Sequence, residues 1–161
     1  MSAIDLQLLK PELTFVNFEA TDRFDLFSQL ERMLIGQGYI KDSWHDAILA
    51  REEAYPTGLD CGTIQVAIPH VDPEHIVTPY IAVMKLAHPV EFEGMGGMPA
   101  VQAQLVVNLG LLGHEDAQVK VLQALMQLFL DARATKEIMS QSTPDDLLKA
   151  LVKHISAESA R

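Results

Sequence analysis

Residues 105–130 read LVVNLGLLGHEDAQVKVLQALMQLFL, and this stretch decides the fold class. Leu105, Val106, Val107 and Leu109 form a nearly continuous apolar run. A strand with one face in water alternates apolar and polar residues, whereas a strand covered on both faces need not. Gly110 and Gly113 bracket a turn, and a longer pattern follows. Glu115 and Asp116 suit the first turn of a helix, where carboxylates meet the positive end of the backbone dipole. Leu122, Leu125, Met126, Phe129 and Leu130 recur at helical spacing. The pattern predicts a helix over 115–131, its apolar face turned to the protein.

The same alternation of types extends towards the N-terminus. Residues 13–18 are β-rich and short, and Thr21 and Asp22 then offer a helix cap. Phe24, Phe27, Leu30, Met33 and Leu34 place an amphipathic helix over 22–36, ended by Gly36 and Gly38. Ser43 opens a second helix over 43–54, with Trp44, Ala47 and Ile48 on one stripe and Pro56 and Gly58 beyond its end. Ile64, Val66 and Ile68 alternate as a strand until Pro69. Tyr80 to Leu86 reads as a buried strand, and the Pro- and Gly-rich residues 89–99 as a loop or hairpin end. Thr143, Pro144, Asp145 and Asp146 are strong start signals for a last helix over 144–155. Strands and helices that alternate in this way imply an α/β (α+β) domain: a mixed central β-sheet flanked by helices, one domain over 1–161.

Composition narrows the partners. Lys plus Arg total 12 and Asp plus Glu total 22, a formal charge of −10. Nucleic acid is excluded as a partner, since binding it begins with phosphate neutralisation by a basic face. One Cys excludes an internal disulfide framework and a four-Cys zinc site. No apolar run reaches the ~18 residues of a membrane-spanning helix, and MSAIDLQLLKPEL lacks the pattern of a signal peptide. A cytoplasmic protein is expected, without membrane insertion.

His70 stands directly after the strand end Ala67-Ile68-Pro69, where proline forces the chain out of the sheet. Strand ends are common places for sites in α/β sheets, and a neutral imidazole nitrogen is a nucleophile near neutral pH. The plain alternative is a loop histidine with no role. Arg51 lies seven residues after Trp44, four after Ala47 and three after Ile48, so it joins the inward stripe of its helix. It either receives an anion or caps its own helix end and pairs with Glu52 or Glu53. Gln118 extends the stripe 118, 122, 125, 129 into the first turn of the long helix, where its amide either aims at a site or rests half-exposed. His70, Asp72, Glu74 and His75 crowd together but match no standard zinc spacing, and Pro73 interrupts them. No metal and no cofactor are expected. Cys61 has no placed base, residues 94–97 lack the Gly-Lys-Ser/Thr ending of a phosphate loop, and His45, His88 and His154 read as surface or satisfied histidines.

Together, Arg51-Glu-Glu-Ala-Tyr-Pro56-Thr57-Gly58 and Val66-Ala67-Ile68-Pro69-His70 resemble the phosphorylation-site region of the IIA components of the bacterial sugar phosphotransferase system. The resemblance is to the fructose–mannitol (type 2) superfamily and covers essentially the whole chain. It implies that His70 accepts a phosphoryl group from phospho-HPr and passes it to a IIB component, while Arg51 helps hold the phosphate. It implies a separate membrane IIC component. Many members carry a second histidine early in the helix after the last apolar strand. The position matching it here is Gln118; His114, four residues earlier, is not the equivalent. Gln at that position, with the Arg-Glu-x-x-x-Pro-Thr-Gly form, resembles the galactitol-specific branch. Val71 stands where the family often has a small residue, and Thr63, with Gly62 one earlier, where it often has Gly. Both point away from the mannitol and fructose subtypes. Nitrogen-type relatives, which share the fold but act as regulatory binding proteins, are the alternative.

Overall fold

Strand β5 (Val101–Gly110) is the centre of the molecule. The computed structural model describes residues 4–113 and 115–159. Before β5 come β1 (Leu9–Phe18), α1 (Arg23–Gly36), α2 (Trp44–Ala54), β2 (Gly58–Asp60), β3 (Gln65–Ala67) and β4 (Tyr80–Phe92). After it come α3 (Glu115–Leu130), α4 (Ala132–Met139) and α5 (Pro144–Ser159). The sheet order is β1-β4-β5-β3-β2. The β1–β4 and β3–β5 pairs are parallel, while β4–β5 and β2–β3 are antiparallel. This is the mixed sheet expected, and both of its faces are covered.

The period-2 alternation of the strands sorts their side chains between two cores. Ile81, Val83, Leu105 and Val107 pack against Val121, Leu125 and Phe129 of α3, Ile138 of α4 and Leu151 of α5. Tyr80, Ala82, Met84 and Val106 pack against Phe27 and Leu30 of α1 and Trp44 and Ile48 of α2. Gly110 is required here: a Cβ on it would lie 2.1 Å from the Tyr80 ring.

Several elements differ from their expected bounds, for identifiable reasons. Strand β1 begins at Leu9 and contains Pro11, which an edge strand tolerates because no ladder donor is needed on its open side. Strand β4 runs to Phe92, through residues expected in a loop; Pro89 is accommodated at a register irregularity between Lys85 and Val90. The predicted long helix stops at Leu130, because Asp131 caps a new helix, α4, by accepting hydrogen bonds from the backbone N–H groups of Arg133 and Ala134. The inward face of α3 is Gln118, Val121, Leu125, Leu128 and Phe129, whereas Leu130 is exposed. Phe24 is also exposed and lies under the Arg23 guanidinium instead of facing the core. Residues Thr143 and Pro144 open α5 as their types dictate: the Thr143 hydroxyl accepts from Asp146 N–H at 3.2 Å.

Candidate functional site

The short strand β3 ends at Ala67, and its neighbour β5 continues beyond it. Leu109 N–H of β5 donates to the Pro69 carbonyl (3.2 Å), and His70 bridges Leu109 in parallel register. Proline supplies no donor, so the segment stays attached to the sheet through its carbonyl. A second anchor holds the same carbonyl. Asn108 interrupts the apolar run of β5 and is fully buried; its Nδ2 donates to the same Pro69 carbonyl (3.0 Å), and its Oδ1 accepts from the Tyr80 hydroxyl (2.6 Å). Burial drives the Tyr80 phenol far above its usual range, so it remains the donor. In this Tyr80–Asn108–Pro69 relay the Tyr80 hydroxyl, both Asn108 amide groups and the Pro69 carbonyl are all partnered, as burial demands.

His70 is 7% exposed, and its Nδ1 lies 3.0 Å from the Ile68 carbonyl. A carbonyl only accepts, so Nδ1 carries the proton and Nε2 presents its lone pair. Burial, the largest influence, pushes the ring pKa down; the Ile68 contact opposes this, the Arg51 charge adds to it and the Asp72 charge opposes it. The imidazole is thereby kept neutral and nucleophilic in the near-neutral range.

Arg51 comes to the same place from α2. Its Nη1 donates to Asp72 Oδ1 at 2.8 Å, and its guanidinium carbon lies 5.4 Å from the centroid of the exposed Tyr55 ring. Its Nε is buried with no hydrogen-bond partner among the described residues. Arg51 is only half-buried, and its partner is Asp72 rather than Glu52 or Glu53. The residue that continues the buried stripe Trp44–Ile48 is Glu52, four positions on. The Glu52 carboxylate accepts from the Thr57 N–H (2.9 Å) and the Thr57 hydroxyl (2.9 and 3.0 Å). Burial raises its pKa despite those bonds. Thr57 in turn accepts from Ile68 N–H through its carbonyl (3.4 Å), and Gly58 passes so close to Glu93 that a Cβ there would lie 2.5 Å from the Glu93 carbonyl oxygen. The Glu, Thr and Gly of the motif thus shape the turn that joins α2 to the sheet, and Arg51 leaves the same helix towards His70.

Gln118 is buried in the first turn of α3, on its inward face. Among the described residues it makes no hydrogen bond to His70 or Arg51. His114 lies outside the described residues. His75 turns away to the Ser43 hydroxyl, 2.8 Å from its Nδ1. Burial pushes the Cys61 thiol up to about 11, so it is not a thiolate nucleophile at neutral pH. Sequence reasoning missed Glu52, Asn108 and Tyr80 as supports. The available signals were an acidic residue at the i+8 position of an apolar stripe and an amide inside an apolar strand.

The mixed sheet covered on both faces is the feature on which the chain compares with solved structures. In fold it is similar to the nitrogen regulatory protein IIA-Ntr of Neisseria meningitidis (TM-score 0.74, 22% identity, 91% of this chain and 97% of that one). It is likewise similar to the Escherichia coli enzyme IIAMtl in complex with phosphorylated enzyme IIBMtl (TM-score 0.72, 20% identity, 91% and 99%). In sequence it is 27% identical over 104 residues to the galactitol-specific EIIA component of Escherichia coli K12, covering 65% of this chain and 69% of the relative. Residues 7–154 match the family described as the phosphoenolpyruvate-dependent sugar phosphotransferase system, EIIA 2. The chain belongs to that family and is an EIIA phosphotransferase component, a phosphoryl carrier. No helix among the described residues is long and apolar enough to cross a membrane.

Proposed function

We propose that His70 is the phosphoryl carrier, accepting from phospho-HPr and donating to a IIB component that serves uptake of a sugar alcohol, galactitol. One observation carries this reading: Nδ1 is committed to the Ile68 carbonyl at 3.0 Å, which leaves Nε2 free to attack. As the P–N bond to the donor imidazole breaks, its electron pair returns to the donor ring, and the Nε2 lone pair of His70 forms the new bond. Nδ1–H stays on Ile68, so no proton has to move and no general base is needed. On transfer to IIB the P–Nε2 bond breaks, its electron pair returns to the His70 ring, and a nucleophilic side chain of IIB forms the new bond to phosphorus.

The phosphoryl group brings roughly two negative charges, and Arg51 is the cation that receives them, through the guanidinium edge that Asp72 leaves open. Gln118 donates from its amide NH₂. The two proteins must bring their reacting groups nearly in line across the phosphorus and exclude water. The net charge of −10 suits partners with basic surroundings at their own reacting groups. A separate IIC chain crosses the membrane, and this chain works in the cytoplasm. Galactitol rests on the 27% identity to the galactitol-specific component and on Gln118.

Incubation with phosphoenolpyruvate, enzyme I and HPr, followed by intact mass, tests the reading. One added phosphoryl group is expected on the native protein and none on His70→Ala; acid-labile phosphate retained on that variant would refute it. A galactitol-type IIB should then remove the group. Labelling without removal by IIB favours the nitrogen-type regulatory reading.

A further inference from the structure

Asp72 follows His70 with one residue between them. That residue, Val71, is buried, and the next, Pro73, opens a one-turn helix whose backbone is closed by His75 N–H donating to the Asp72 carbonyl (3.2 Å). The segment is therefore held, and the Asp72 side chain has a limited range. An aspartate in front of a helical turn ordinarily caps it. Asp72 makes no such bond; its Oδ1 goes instead to Arg51 Nη1 at 2.8 Å. Side-chain exposures of 31% for Arg51 and 56% for Asp72 make this a surface ion pair, which adds little to stability. It occupies one edge of the guanidinium, while Nε has no partner among the described residues.

We infer that Asp72 sets how readily the phosphoryl group leaves His70: it competes for Arg51 and places its own negative charge beside the phosphorylated ring. The inference rests on the reading of His70 as phosphoryl carrier. A carrier must hold its cargo loosely enough to pass it on, and a full clamp by Arg51 with no opposing charge would favour retention. Asp72 acts oppositely in two ways. It shares the fork that would otherwise turn wholly to the phosphate, and it repels the dianion. The unphosphorylated ring already feels that charge, since Asp72 raises its pKa where Arg51 lowers it. Removing one neighbouring charge, under surface screening, changes an equilibrium constant by about 10-fold.

The test is the phosphoryl exchange equilibrium between HPr and this protein, for the native chain, Asp72→Asn and Asp72→Glu. Asp72→Asn should shift the equilibrium about 10-fold towards the phosphorylated protein and slow donation to IIB, while Asp72→Glu, which keeps the charge, should stay near native. A parallel NMR titration of His70 should show a lower ring pKa in unphosphorylated Asp72→Asn. An exchange equilibrium unchanged within about twofold, or shifted towards phospho-HPr, overturns the inference. If the native protein itself takes no phosphoryl group, the carrier reading has failed and the role of Asp72 falls with it; the native sample alone identifies that case.

Discussion

The two sides of the sheet differ in kind. The core under α3, α4 and α5 is almost wholly aliphatic, with Phe129 as its buried aromatic ring. The core under α1 and α2 holds Phe27, Tyr39, Trp44, Tyr80 and Phe92, and the T-shaped pairs Phe27–Phe92 and Tyr39–Tyr80 lie within it. Buried polar chains collect on that second side: Glu52 with Thr57, and Tyr80 with Asn108. Aromatic rings supply large apolar area and, in Tyr, a polar handle that fixes geometry. The first side thus behaves mainly as a scaffold, with Ile68 and Gln118 as its contributions to the site, while the second sets the position of Arg51 and of the turn that leads to the sheet.

That division is open to direct attack. Phe129→Ala should cost about 3–5 kcal/mol in urea unfolding yet leave phosphoryl acceptance by the folded protein unchanged; a matching loss of acceptance would break the contrast. Arg51→Gln should do the reverse. It removes a half-exposed ion pair, so stability should change by less than about 1 kcal/mol, while the rate of phosphoryl acceptance falls about 100-fold. Glu52→Ala leaves the buried Thr57 N–H without its acceptor and should cost about 1–3 kcal/mol, with acceptance reduced because the turn beside Ile68 loosens.

pH sharpens the same contrast. Burial and Arg51 hold His70 below the ordinary histidine value of 6.5, so acceptance should stay constant as pH falls through that value and decline only below it. In Arg51→Gln one of the two lowering influences is gone, and the decline should begin at higher pH; rate profiles of the two proteins decide this. The smallest effect is expected at Gln118. A glutamine does not titrate, so Gln118→His should give a steeper pH profile near neutrality than the native protein. A steeper native profile would contradict the role given to the amide.

Much of this was readable in the chain. Pro69 before His70 marked the strand end, Thr143-Pro144 marked α5, and the nearly continuous apolar run at 105–109, broken only by Asn108, marked a strand buried on both faces. Arg51 and His70 stood out as candidates because an arginine falls at helical spacing from Trp44 and a histidine follows a strand-ending proline, and the structure pairs Arg51 with Asp72, two residues after His70. What stayed hidden depends on tertiary pairing. Helical spacing placed Arg51 inward, but a stripe of i, i+4, i+8 runs through Glu52, and one position decides which charge is buried. The helical pattern runs through Asp131, because an aspartate that caps a new helix and one that lies in a continuing helix look alike in sequence. Nothing local announces that Asn108 reaches Pro69, 39 residues earlier, or that Asp72 abandons its own helical turn for Arg51.

The most direct test is NMR of the phosphorylated protein, resolving phosphorus–nitrogen coupling on the His70 ring. Phosphorus bonded to Nε2, with Nδ1 still protonated against the Ile68 carbonyl, is the expected result. Phosphorus on Nδ1, or on any residue other than His70, would contradict it.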